Sequence, residues 1–299
     1  MLELSPTPVP SLTLSAVLRA LRPYQWVKNL LVVVPTIAAH RMSEPELFGL
    51  NLLAFCCFCL AASGVYLAND VFDVESDRLH PRKRLRPVAS GELVIPTAKV
   101  LSIVCIVAAI VLAWTTVSRE FASLVLLYVA AAGAYSTRLK REPVVDVFLL
   151  AGLYVVRVIA GGVATAIPIS SWLLAFAMFL FLSLAFVKRY TELFLIKGPL
   201  VGRGYVASDD RWLPAIGISS GYMAVLVLAL YISSSEVARL YREPATLWWL
   251  CPLLLFWVTR LWFRASRAIS HDDPVIEALR DPMTYALGAV SAVILYASI

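Results

Sequence analysis

Charge is scarce in this chain. Only 15% of its 299 residues are Asp, Glu, Lys or Arg, against 60% hydrophobic residues and a mean hydropathy of +0.80. A soluble globular domain carries about 25% charged residues, so composition excludes one here. Histidine is nearly absent: His40, His80 and His271 are the whole complement, and none has a catalytic-looking setting. The five cysteines, Cys56, Cys57, Cys59, Cys105 and Cys251, lie in apolar runs without CxxC spacing or a nearby histidine. That argues against a metal cluster and for small core or lipid-facing residues. No glycine-rich phosphate loop of the P-loop kind occurs, which excludes that nucleoside-triphosphatase pattern. The start, MLELSPTPVPSLTLS, lacks the basic segment and compact apolar stretch of a cleavable signal.

Apolar runs are abundant. About 20 apolar residues let a helix cross the hydrocarbon core of a bilayer. The sequence predicts nine such spans, at 24–40, 46–70, 97–116, 120–136, 144–164, 171–190, 213–234, 246–263 and 282–299, with Pro35 kinking the first. The expected fold class is all-α: a polytopic membrane bundle, with residues 1–299 as one transmembrane domain and no separate soluble domain. Assigning alternate sides puts 21 Lys and Arg on one side and only Arg41, Arg119, Arg239 and Arg242 on the other, with Arg157 inside a span. Such a bias marks the rich side as cytoplasmic, with the N-terminus inside and the C-terminus outside a bacterial inner (plasma) membrane. An even number of spans would spoil the alternation. The net charge of +6 gathers on that face, where it meets anionic lipid headgroups; the expected partner is a bilayer, not a nucleic acid.

Acids are interleaved with these bases at few places. Residues 69–86 read NDVFDVESDRLHPRKRLR. On a helix, Asp70, Asp73 and Asp77 stand at i, i+3 and i+7, within about 60° of one another on one face, with Asn69 at its flank. Carboxylates at a membrane surface need a partner, and hard oxygen donors suit Mg²⁺ shared with substrate phosphates. The plainer reading is a solvated helix end whose acids neutralise the adjoining bases. Among those bases, Arg78, Arg82, Lys83, Arg84 and Arg86 are available to clamp phosphates; the plainer alternative is the positive-inside signal alone, a role that can be the only one for Arg84 or Arg86. Pro81, Pro87 and Gly91 mark the stretch as a loop.

Further candidates lie along the chain. Lys28 follows Trp26 near the start of the first span, where it is either a phosphate ligand or a snorkelling lysine. Tyr135, Lys140, Asp146 and Arg157 cluster around the fifth span; Asp146 and Arg157, eleven residues apart, share a face. Arg157 faces either a central cavity or a structural partner, a helix carbonyl or Asp146. Lys188 and Arg189 stand beside Glu192, which offers a local ion pair. His271, Asp272 and Asp273 precede Pro274 and read most simply as a helix-capping turn.

The Asn69, Asp70, Asp73 and Asp77 pattern resembles the first aspartate-rich motif, NDxxDxxxD, of the UbiA prenyltransferase superfamily. The segments LRPYQWVKN (21–29), YSTRLKREPVVDVFLLAGLYVVRVIAGG (135–162), VKRYTEL (187–193) and HDDPVIEALRD (271–281) are similar to its decaprenyl-phosphate phosphoribosyltransferase branch. They also resemble membrane domains that follow a haloacid-dehalogenase-like domain, which this chain lacks. Orthodox members carry a second acidic pair on a later helix; here Asp146 stands alone, with Leu150 four residues on.

The resemblance implies helices around a central cavity, capped by loops at about 71–96, 137–143, 191–212 and 264–281. It implies Mg²⁺ held by Asp70, Asp73 and Asp77, with 5-phosphoribosyl 1-diphosphate as donor and a polyprenyl phosphate as acceptor. The product would feed arabinose into an envelope polymer or a secreted signal. A homo-oligomer is compatible with it. The alternative enzyme moves a prenyl group from prenyl diphosphate to an aromatic acceptor. A transporter or lipid-binding protein is a third reading; a transporter should show paired repeats with broken helices, and no convincing repeat is visible.

Overall fold

The computed structural model describes residues 13–196, 203–267, 274–278 and 280–299, and regular structure among them is entirely helical. The described residues open with α1 (Leu14–Leu21), a 3₁₀ helix (Pro23–Val33) and α2 (Val34–Ala38). Then come α3 (Pro45–Phe72), α4 (Val74–Leu79), α5 (Pro87–Ser90), α6 (Ile95–Thr116) and α7 (Arg119–Thr137). The remainder holds α8 (Val145–Thr165), α9 (Ser171–Ile196), α10 (Trp212–Ile232), α11 (Val237–Leu240), α12 (Leu250–Ser266), α13 (Pro274–Ala278) and α14 (Pro282–Ser298).

Among the described residues, seven helical segments are long and apolar enough to cross a membrane, and α14 is a shorter apolar helix. The first expected span takes a different form. Residues 24–40 hold the 3₁₀ helix and the five-residue α2 in place of one α-helix. Proline explains the break. Pro23 opens the 3₁₀ segment and Pro35 stands in the first turn of α2, the place where a missing amide hydrogen costs least. At about 2.0 Å per 3₁₀ residue and 1.5 Å per α residue, the two pieces together reach about 30 Å. The turn expected at His271, Asp272 and Asp273 lies outside the described residues.

The chain packs as two compact units, one of the described residues up to Leu30 with Pro45–Thr137, the other of Leu31–Glu44 with Arg138–Ile299. In the first unit, α3 at 28 residues runs to about 42 Å, longer than a hydrocarbon core. Its last turn, with Asn69 and Asp70, therefore has length to spare beyond the apolar stretch. Gly64 lets α6 lie against α3: an added Cβ would fall 2.9 Å from the Ser102 carbonyl oxygen, and Ser102 Oγ donates to the Gly64 carbonyl at 2.7 Å. Ala20, Leu67, Val88, Leu93 and Ala98 close a small core beside the acid-rich segment. The second unit has a larger core on α8, α9, α10 and α12, including Val147, Phe181, Phe186, Leu213 and Trp262. Its buried Ser183 hydroxyl accepts from Trp262 Nε1 at 3.0 Å and donates to the Gly217 carbonyl at 2.7 Å.

Candidate functional site

In the first unit, α3 gives way to α4 at Asp73, whose φ of −94° and ψ of 7° mark a local bend. The hydrogen-bond ladder nevertheless continues, from the Asp73 amide to the Asn69 carbonyl at 2.9 Å and from the Asp77 amide to the Asp73 carbonyl at 2.8 Å. Asp70 and Asp77 are buried, and Asp73 and Asn69 half-buried. The two buried acids share a cation: Arg86 Nη1 lies 3.2 Å from Asp70 Oδ1 and 2.6 Å from Asp77 Oδ2. A second arginine, Arg22, bonds the same Asp70 Oδ1 and lies over the Tyr66 ring, 5.2 Å from its centroid. Two carboxylates thus face two guanidiniums.

Local structure aims these groups. Arg22 caps α1 in the left-handed region, with φ 54° and ψ 59°. That conformation costs a non-glycine residue about 1–2 kcal/mol, offset here by the ion pair and the aromatic contact it permits. Arg86 precedes Pro87 at the start of α5. Arg78 Nε donates to the Ala89 carbonyl at 3.2 Å, tying α4 to α5. The exposed Arg82 and Lys83 begin a turn whose amides both donate to His80 Nδ1 at 3.2 Å. Partial desolvation and the nearby Lys83 charge lower the His80 pKa, favouring the neutral imidazole that accepts those bonds.

The second unit holds a separate buried network. Asp146, in the first turn of α8, and Arg189, on α9, are both 0% exposed, with Arg189 Nε 2.6 Å from Asp146 Oδ2. The contact is electrostatic and off hydrogen-bond alignment, for neither atom has a hydrogen-bond partner. Arg189 also pairs with Glu192, which Arg203 approaches at 3.8 Å. Tyr205 Oη donates to Asp146 Oδ1 at 2.6 Å and accepts from the Val144 amide at 3.0 Å. Burial, then the bond to Asp146, raises the Tyr205 pKa and keeps it a donor.

Val144 itself has φ 69° and ψ −51°, and the Val145 amide donates to the Pro143 carbonyl at 2.8 Å. That is the rare, strained form of the γ-turn, held by a β-branched residue. Gly204, with φ 69°, presses on the same loop: an added Cβ would collide with the Arg141 carbonyl oxygen.

The structure thus brings together Asp70 with Asp77, and Asp146 with Arg189. Asp146 takes Arg189 and Tyr205 as partners, while Arg157 donates to the Leu153 carbonyl at 2.5 Å and lies over the Tyr154 ring. Of the two structural partners weighed for Arg157, its helix carbonyl is therefore engaged. Lys28 is buried in the 3₁₀ helix; Tyr135 near the end of α7, Lys140 in the turn before α8 and Lys188 on α9 are half-buried. Sequence reasoning missed Arg22 and Tyr205 as members of these networks. Arg22 counted only toward membrane orientation, and Tyr205 lies 59 residues from Asp146.

The first cluster fits Mg²⁺ in its donor chemistry. Asp70 Oδ2 is buried without a hydrogen-bond partner, and carboxylate oxygens are the donors this ion prefers. No three His, Cys, Asp or Glu among the described residues form a metal cage. Mg²⁺ commonly takes one or two carboxylates and fills its remaining positions with water and phosphate oxygens.

Comparison with known proteins identifies the family and the fold. A model of the UbiA prenyltransferase family matches residues 30–198. Nodulation protein NoeC of Azorhizobium caulinodans is 37% identical over 88% of this chain and 86% of its own length. The decaprenyl-phosphate phosphoribosyltransferase of Mycolicibacterium smegmatis is 40% identical over 79% of this chain and 76% of its own. An uncharacterized Sinorhizobium fredii protein, y4nM, is 32% identical over 92% of this chain, which spans about half, 54%, of that relative. The fold matches a UbiA homolog from Archaeoglobus fulgidus solved with GPP and Mg²⁺, with a TM-score of 0.69 at 19% identity, covering 94% of this chain and 97% of that one. The chain belongs to the UbiA prenyltransferase family and is similar to its decaprenyl-phosphate phosphoribosyltransferases.

Proposed function

We propose that the protein transfers 5-phosphoribose from 5-phosphoribosyl 1-diphosphate to a polyprenyl phosphate of the decaprenyl type, yielding a polyprenyl-phosphate pentose donor. The bond from the anomeric carbon to the diphosphate oxygen breaks, and a phosphate oxygen of the lipid bonds to that carbon. Diphosphate leaves. The observation that carries the reading is Asp146. It is the lone acid where orthodox members have a second pair, and it is buried against Arg189 and Tyr205. One acidic cluster suits one diphosphate, and a lipid monophosphate asks for cations rather than a second metal site. The phosphoribosyltransferase relative supports the same choice.

Asp70, Asp73 and Asp77 would hold Mg²⁺, which when bound neutralises charge on the leaving diphosphate. Arg78, Arg82 and Lys83 would bind phosphate oxygens, with Asn69, Lys28, Tyr135, Lys140, Arg157 and Lys188 orienting the substrates; Asp146 and Arg189 complete the set, acting through position. The nucleophile is a phosphate already ionised at neutral pH, so no strong general base is required. We further place nine crossings in a bacterial inner membrane, the 3₁₀ segment and α2 forming the first and α14 the last, around a cavity for the polyprenyl tail. The positive-inside bias supports a cytoplasmic acidic cluster, where the soluble donor and Mg²⁺ are available.

The test offers purified protein radiolabelled phosphoribosyl diphosphate, polyprenyl phosphate and Mg²⁺. Label should move into the organic phase. Consumption of a prenyl diphosphate with an aromatic acid, and no transfer from phosphoribosyl diphosphate, would overturn the reading in favour of orthodox prenyl transfer.

A further inference from the structure

The two arginines on the acidic cluster are held differently. Arg22 is fixed by its capping backbone, its bond to Asp70 and its stack on Tyr66, and its side chain is 15% exposed. Arg86 sits in a short connection between a three-residue 3₁₀ turn and α5, and its side chain is 28% exposed. Arg86 alone bridges both acids, at 3.2 Å and 2.6 Å, the place between two carboxylates that a divalent cation would also favour. Asp70 Oδ2 is the complementary feature: a buried oxygen left open while Oδ1 serves the arginines.

We propose that Arg86 is an exchangeable counter-ion, which a divalent cation displaces from Asp70 and Asp77 and which then turns to a phosphate oxygen of the donor. The charge balance requires such a move. Two buried carboxylates are already matched by two guanidiniums. An arriving double charge leaves these two acids and two arginines with a surplus of two, or of one once Asp73 is counted, and the more exposed arginine is the one able to carry its charge outward. Entry of the cation and binding of an anion are then coupled through one side chain. The idea rests on the function proposed above for the donor, but its test needs no substrate.

Mn²⁺ serves as the probe, its free concentration read by electron paramagnetic resonance with the full chain in detergent. Arg86→Gln removes a unit charge a few ångströms from the carboxylates; discounted for its partial exposure, this should tighten Mn²⁺ binding about tenfold or more. A second readout uses the unmodified protein, so it survives a variant that folds poorly. Mg²⁺ should raise phenylglyoxal labelling of Arg86 several-fold, seen by peptide mass spectrometry, and leave Arg22 unchanged. Equal or weaker Mn²⁺ binding in a folded Arg86→Gln protein, or Arg86 labelling indifferent to Mg²⁺, overturns the exchange. Tight Mn²⁺ binding and metal-dependent labelling without phosphoribosyl transfer would uphold the exchange and sink the proposed reaction.

Discussion

Breaking the Asp146–Arg189 pair should cost unequal amounts depending on which partner is removed. Both side chains are fully buried, with nitrogen and oxygen 2.6 Å apart. Deleting one member of a buried ion pair strands the other charge, at about 3–5 kcal/mol. Arg189→Met leaves Asp146 with only the neutral Tyr205 hydroxyl, so the full penalty applies. Asp146→Leu leaves Arg189 bonded to Glu192, whose side chain is 32% exposed and remains hydrated, so its cost should fall at or below the lower end. The double variant Asp146→Leu/Arg189→Met strands no charge, and such apolar replacements come out near neutral, so it should lie within about 2 kcal/mol of the native protein. The two single costs should together exceed that of the double variant by several kcal/mol, well beyond what independent sites show. Melting curves in detergent would read Arg189→Met as a drop of about 6–20 °C, at the 2–4 °C per kcal/mol of chains of 150–250 residues. Additive single costs, or equal costs for the two single variants, would refute the reasoning.

The Tyr205→Phe change removes a donor to Asp146 and an acceptor for the Val144 amide. Stranding buried polar groups should cost about 1–3 kcal/mol, read as a lower melting temperature. Asp73→Ala should abolish phosphoribosyl transfer with the melting temperature nearly unchanged, because Asp73 is half-buried; near-native activity would make it merely structural. Acid should loosen the clasp of Arg260 on Asp281, bonded at 2.6 Å and 3.2 Å. Burial tends to raise the Asp281 pKa, but bonds and charge from Arg260, with Thr284 and Arg264, lower it on balance. A lowered folded value stabilises above the unfolded carboxylate pKa of about 3.9, and the contribution disappears as pH falls through the folded value. The melting difference between native protein and Arg260→Gln should therefore be full at neutral pH and shrink on that descent; a difference that grows in acid would contradict it.

Long apolar periodic runs were legible because a bilayer imposes length and composition together. Seven of the nine expected spans coincide with helices of sufficient length, and α14 follows the last at 17 residues. The first was legible as an apolar segment but not as a 3₁₀ helix, since Pro35 marks a break without specifying the hydrogen-bond pattern before it. The acidic cluster was legible through local spacing: i, i+3 and i+7 survive because the ladder runs through Asp73. What escaped was long-range pairing. Arg22 meets Asp70 across 48 residues and Tyr205 meets Asp146 across 59, and local periodicity carries no information about such separations. The strained Val144 turn has no signal of its own. Only Pro143 beside it hints at irregular backbone, and the strain is sustained by tertiary contacts with Tyr205.

Counting Lys and Arg on a membrane face conflates two kinds of cation. Insertion responds to their number within short loops, so Arg22 and Arg86 contribute to the bias like any others. In the folded chain, however, those two are committed to Asp70 and Asp77, and Arg189 to Asp146 and Glu192. Their charges are largely cancelled at short range and add little to the field that would attract a phosphate. A cation matched by a buried acid becomes available to an anionic substrate only when something else takes that acid. Among these three, Arg86 is the one that bridges both Asp70 and Asp77, and its side chain is the most exposed to water. On the exchange proposed above, the acidic motif would control more than metal affinity: it would also govern when one of its own arginines becomes free to bind phosphate.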